Sequence, residues 1–216
     1  MYKTNRMKKL LKLLSSSTLA GICIGIAGLQ YLRLCSTGMG WLGAILFSLG
    51  LVIVCSYGFS LFTGVSGYCT SRKEWRDLPG ILIGNVFGCW LVSLGAKYSL
   101  PEISDLAISV YDSRILKTPL QALILGTGCG FLMTVAVKGL KWWVVDKDRT
   151  WIPLFLAVPG FIFCGFLHSI ADSFYILCLP YTYLDLEILK IWGSVVIGNL
   201  IGCNLVRILT LDYWKI

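Results

Sequence analysis

The sequence predicts an all-α integral membrane protein of six transmembrane helices, arranged as two inverted three-helix repeats with the second and fifth helices interrupted. Three observations predict it. Of the 216 residues, 56% are hydrophobic and 14% charged, and the apolar residues fall in membrane-length blocks rather than at the three-to-four spacing of soluble amphipathic helices. A glycine-rich element occurs twice: ILIGNVFGCWLV (residues 81–92) and VVIGNLIGCNLV (residues 195–206) agree at seven of twelve positions without a gap. Finally, the two longest blocks carry helix-breaking sequences: SLFTGVSG (residues 60–67), and Pro159-Gly160 followed by Gly165.

The blocks run over residues 15–34, 40–63, 79–97, 118–137, 152–178 and 190–209, each near the 20 or so residues a crossing needs. Modest polar linkers separate them, so residues 1–216 read as a single transmembrane domain. The first block follows a basic segment, residues 1–14. It reads as an uncleaved helix rather than a secretory signal, because it is long, lacks an Ala-x-Ala exit and precedes five more spans. Its Lys-rich start is expected to lie on the membrane surface.

Basic residues set the orientation. The N-terminal tail (Lys3, Arg6, Lys8, Lys9, Lys12), second linker (Arg72, Lys73, Arg76), fourth linker (Lys138, Lys141, Lys147, Arg149) and C-terminus (Arg207, Lys215) hold 14 of the 19. The other side holds Arg33, Lys97, Arg114, Lys117 and Lys190, which puts both termini in the cytoplasm of a multi-pass cell-membrane protein. Topology and anionic lipid account for the net charge of +8, with no nucleic-acid partner required.

The repeated element is offset by three spans, an odd number, so its two copies run through the membrane in opposite directions. Gly84 and Gly88, like Gly198 and Gly202, form small-x-x-x-small ridges for close helix approach. Asn85 and Asn199 between them need partners in lipid, and backbone groups freed at a broken helix would satisfy their amides. Irregular backbone at membrane depth survives only where protein or a water-filled cavity covers it. The expectation is a pore lined by the two interrupted helices, with Thr63 on one and His168 on the other.

His168 is the chain's only histidine and lies inside a membrane-length run, with Asp172 one helical turn on. A group that titrates near neutrality is costly in hydrocarbon and marks either a polar pathway or a hydrogen bond to a neighbouring helix. Asp172 has two readings: behind the histidine, orienting it, or facing the pore, where it would repel anions.

The remaining conspicuous residues have plainer readings. Seven of the nine cysteines, including Cys89, Cys129, Cys178 and Cys203, sit in or at the ends of apolar spans as small hydrophobes, and Cys35 and Cys69 fall on opposite faces and should not pair. There is no C-x-x-C, no zinc set, no catalytic Ser/His/Asp arrangement and no phosphate-cradling loop, which argues against a metal, a cofactor and an enzyme. Trp75, Trp142, Trp143, Trp151, Trp192, Tyr213 and Trp214 suit an interfacial belt. Glu102, Asp105 and Asp112 on the third linker read as a solvated loop, with cation binding as the other option.

FSLGL (residues 47–51), LFTG (residues 61–64), both G-N-x-x-G elements and GFLHSIADSF (residues 165–174) together resemble the formate/nitrite transporter family, pentameric anion channels with an aquaporin-like fold. The resemblance touches nearly the whole chain in the correct order. It implies that Phe47, Leu51, Leu61, Phe62 and Phe161 form apolar constrictions, that Thr63 sits on the loop interrupting the second span, and that His168 is the central pore group. A family lysine that charges the extracellular vestibule falls, by spacing, on Arg114, with Lys117 a turn later. The chain departs from the family at Gly130, where Asn is usual, at Leu167, where Glu is usual, and at Asp172, where Asn is usual. Val65 also stands where an Asn often follows the Thr-Gly pair.

The resemblance implies a homopentameric channel for small monovalent anions, formate foremost, then nitrite or hydrosulfide. A bare anion in an apolar slit costs many kcal/mol, whereas its conjugate acid crosses cheaply. The anion would be drawn in by Arg114 or Lys117 and passed with protonation or hydrogen bonding at His168 and Thr63. Two other readings stand beside it. One is a water or glycerol channel, disfavoured because the chain has no Asn-Pro dipeptide; the other is a nonconducting sensor or scaffold, prompted by Gly130 and Leu167.

Overall fold

Lipid offers backbone N–H and C=O groups no partner, so each apolar block folds as helix and satisfies them internally. The computed structural model describes residues 2–142, 144–145, 148–149 and 151–209. In chain order its helices are α1 (Tyr2–Ser36), α2 (Gly40–Tyr57), α3 (Phe62–Val65) continued by a 3-10 turn (Ser66–Tyr68), α4 (Arg72–Ser99), α5 (Ile103–Ile115), α6 (Pro119–Trp142), α7 (Ile152–Phe163), α8 (Ser169–Cys178) and α9 (Leu186–Leu209). Val144–Val145 pairs antiparallel with Asp148–Arg149 between α6 and α7. The helices α1, α2, α4, α6 and α9 are long and apolar enough to cross a membrane, and the chain is a multi-pass membrane protein. Trp143, Lys147, Tyr213, Trp214 and Lys215 lie outside the described residues.

The second and fifth blocks are each broken in two. Gly58 ends α2 in the left-handed region (φ 66°), its N–H closing on Val54 O, and the chain runs extended to Leu61 before α3 begins. In the fifth block Pro159 does not make the break: it lies inside α7, and the chain leaves the helix at Gly165 (φ 67°) before α8 starts. Proline removes one hydrogen bond and kinks a helix, whereas positive φ reverses the winding, so the glycine decides. Pro79 is likewise carried inside α4, which begins a full turn or more earlier at a capping box between Ser71 and Glu74.

The third linker is not an open loop. It contains α5, whose Ile103, Ala107 and Tyr111 recur every four residues and are buried. Helix α5 packs on α8 and α1, which carries its C-terminal arginine toward the middle of the molecule. Glu102, just before it, forms an exposed ion pair with Arg33 at the end of α1.

The two halves pack alike: α1 lies against α4 and α2, and α6 lies against α9 and α7. The glycine ridges permit this. A Cβ at Gly88 would stand 2.1 Å from Thr18 O, and one at Gly202 would stand 2.0 Å from Thr127 O. The short elements then cross between halves, α8 packing on α4 and the Ser66–Tyr68 turn on α9.

Candidate functional site

Each repeat's asparagine ties down its own broken helix. Asn85 Nδ2 donates to Ser17 O (2.7 Å) and Ser60 O (2.9 Å), while its Oδ1 accepts from Phe62 N–H (2.8 Å). Asn199 repeats the pattern on Gly126 O (2.9 Å), Leu167 O (2.8 Å) and Ser169 N–H (2.8 Å). In both cases the amide bridges a neighbouring long helix to a carbonyl and an N–H two residues apart at the start of a half-helix. Four residues after each asparagine, a cysteine reaches the opposite half: Cys89 Sγ donates to Ile170 O (3.5 Å) and Cys203 Sγ to Thr63 O (2.9 Å). The repeated G-N-x-x-G-C pattern is therefore a device that satisfies irregular backbone from within the protein.

The two short helices bring Thr63 and His168 together. His168 is the N-cap of α8, and its Nδ1 accepts from Ala171 N–H at 3.2 Å. The neutral ring therefore carries its proton on Nε2, which donates to Thr63 Oγ1 at 2.9 Å. Phe161 stacks on the imidazole, with ring centroids 5.7 Å apart at 23°, and Phe47 meets Phe161 edge-on at 6.3 Å and 87°. Thr63 is fully buried and His168 is 3% exposed.

Two cavities flank this contact and share no lining residue. One, of about 180 Å³, is lined by His168, Asp172, Arg114, Lys117, Phe47 and Phe161 among others. The second, of about 280 Å³, is lined almost wholly by apolar groups, including Leu51, Val54, Leu61 and Val65. Of the five residues expected to constrict a pore, Phe47 and Phe161 thus belong to the first cavity, and Leu51 and Leu61 to the second. Phe62 lines neither; it is buried, and its backbone N–H is the one Asn85 holds.

Asp172 does not hydrogen-bond the imidazole. Its Oδ1 accepts from Arg114 Nε at 2.9 Å, and both groups line the histidine-side cavity. Arg114 also donates from Nη1 to Val110 O and lies over the Tyr175 ring at 5.1 Å. Lys117 lines the same cavity, and among the described residues its ammonium has no ion-pair partner. Spacing along one helix turn suggested Asp172 with His168. The partner is instead Arg114, in the last turn of α5.

Two departures from the family fall at closely packed positions. A Cβ at Gly130 would stand 2.2 Å from Asn199 O, so α6 and α9 approach too closely there for an asparagine. Leu167 is 2% exposed, packed in an apolar cluster with Ala122, Ile191 and Val195 at the edge of the histidine-side cavity. Among the described residues no group of three His, Cys, Asp or Glu side chains is placed to hold a metal ion, and the cysteines are unpaired.

A family model described as formate/nitrite transporter matches residues 1–214. The formate channel FocA of Haemophilus influenzae is 26% identical over 196 residues, covering 81% of this chain and 68% of that protein. The formate channel FocA of Escherichia coli K12 is 27% identical over 183 residues, covering 73% and 62%. The chain thus spans about two thirds of the length of these relatives. Among solved structures, a pentameric formate channel with formate bound superposes with a TM-score of 0.77 at 22% identity, covering 96% of this chain and 97% of that one. An FNT family ion channel does so with 0.80 at 19% identity, covering 95% and 91%. The fold is that of these channels.

Proposed function

Because the chain belongs to the formate/nitrite transporter family, we propose that it is a homopentameric channel passing small monovalent anions through each subunit, with formate foremost and nitrite or hydrosulfide next. The observation that carries this reading is the His168–Thr63 hydrogen bond between two cavities, closed in by Phe47, Phe161, Leu51 and Leu61. The relatives named as formate channels favour formate within the class. The basic linkers put both termini in the cytoplasm and the cavity holding Lys117 outside.

The geometry supports one of two roles for the imidazole over the other. Making an imidazolium puts a proton on Nδ1 and abolishes the bond from Ala171 N–H. The neutral ring therefore serves best as a hydrogen-bond donor. Its Nε2–H fixes Thr63 Oγ1 as an acceptor, which leaves the threonine hydroxyl hydrogen to turn toward the passing anion. The N-terminus of α8, at the same place, adds a favourable partial positive charge. An anion drawn in by the basic groups takes a proton from hydronium in the aqueous mouth as the dielectric falls, crosses the apolar slit as the neutral acid and gives the proton back to water on the far side.

His168→Phe tests this in proteoliposomes by formate uptake recorded with the accompanying pH change. The expected result is a large fall in formate flux, because the hydrogen bond that orients Thr63 is gone, in a channel that still assembles. Unaltered, still pH-dependent flux would remove His168 from the mechanism.

A further inference from the structure

Three charged side chains line the histidine-side cavity, and two of them are committed to each other. Arg114 gives Nε to Asp172 Oδ1 and Nη1 to Val110 O, and its plane covers the Tyr175 ring. Asp172 is the carboxylate on that guanidinium, the chemical group that formate would bring there. It is tethered by α8, so a free anion must displace a partner held at high effective concentration. The side chains of Arg114 and Asp172 are 17% and 4% exposed, so neither reaches freely into solvent. Lys117 differs. It is half-buried just past the end of α5, lines the cavity without an ion-pair partner among the described residues, and also lines a lateral notch with Gln121, Ile124 and Leu125. It stands at the rim.

Resting on the anion-channel reading above, we propose that Asp172 withholds Arg114 from anion capture and that Lys117 is the cation that recruits the permeating anion. A paired arginine and carboxylate present a dipole, whose field falls off faster than that of the unpaired ammonium. The steering charge of the cavity is therefore the lysine's, and a charge at a water-filled rim is screened by salt within a Debye length of about 8–10 Å. Asp172 acts as a brake on the arginine that sequence spacing had marked as the attractor.

Two readouts test the assignment in Lys117→Gln, Asp172→Asn and the double variant: formate flux into proteoliposomes across ionic strength, and stabilisation of the solubilised protein against heat by formate. Lys117→Gln should lower flux at low salt by about ten-fold, flatten its salt dependence and abolish the formate stabilisation. Asp172→Asn should raise both readouts, and in the double variant the released Arg114 should restore much of what Lys117→Gln removes. Lys190→Gln, at an exposed pair with Glu187, should change neither. Full salt-dependent flux and stabilisation in Lys117→Gln, or a fall in both for an intact Asp172→Asn, would overturn the proposal. Wild-type protein that is stabilised by formate in the predicted charge-dependent way but passes none would overturn the channel reading and leave the charge assignment standing.

Discussion

At His168 both ring nitrogens are spoken for, one by a backbone N–H and the other by a hydroxyl from the opposite half. The sequence made Thr63 and His168 legible as a pair because each lies in a stretch where helix fails at membrane depth. It left Asp172 ambiguous because its partner, Arg114, lies 58 residues away in the chain. Pairing on that scale depends on where α5 packs, and no spacing rule reaches it. The substitutions at family positions were visible as departures but not explicable until the helix separation was known. Gly130→Asn should therefore fail to accept the usual residue: its Cβ would overlap Asn199 O, and the expected outcome is a lower melting temperature and loss of assembled protein by size-exclusion chromatography.

At the scale of elements, the interruptions are held by three-point amide ties rather than by proline. Asn199→Leu leaves Ser169 N–H and Leu167 O at the interruption without their partner, and takes a second bond from Gly126 O inside α6. Each orphaned buried group costs about 1–3 kcal/mol. The melting temperature of solubilised protein should fall by several degrees, and Asn85→Leu should match it through Phe62 N–H, Ser17 O and Ser60 O. Gly165→Ala is a cleaner probe, because a Cβ there meets nothing within 4 Å and only the positive φ resists it. A cost of about 1–2 kcal/mol is expected, read as a drop of a few degrees in the same melt. The breaks were readable as glycine- and proline-rich stretches, but which residue makes the break was not, since both types disfavour helix and only the backbone angle separates them. Helix α5 is hard to read from sequence because it is only 13 residues long, too short to cross a membrane, and mixes its buried positions Ile103, Ala107 and Tyr111 with both apolar and acidic residues.

At the scale of the whole molecule, composition and block length disclosed a membrane protein, and the duplicated element disclosed its halves, because lipid permits few alternatives. Subunit number is written on surfaces that a single chain shows only as exposed apolar side chains, such as Ile83, Phe87, Ile124 and Leu156, and lipid or a neighbouring copy satisfies these equally. Native mass spectrometry from detergent should find five copies of the chain; a stable monomer would contradict the pentamer. The cross-ties between halves bear on how the protein is made. Thr63 O and Ser66 O, at the first interruption, are satisfied by Cys203 and Asn204 of α9. While the ribosome is still translating, the early helices enter the bilayer with those carbonyls bare, and they stay so until α9 is inserted. The first half thus completes the bonding of its interrupted helix only with groups from the last helix of the second.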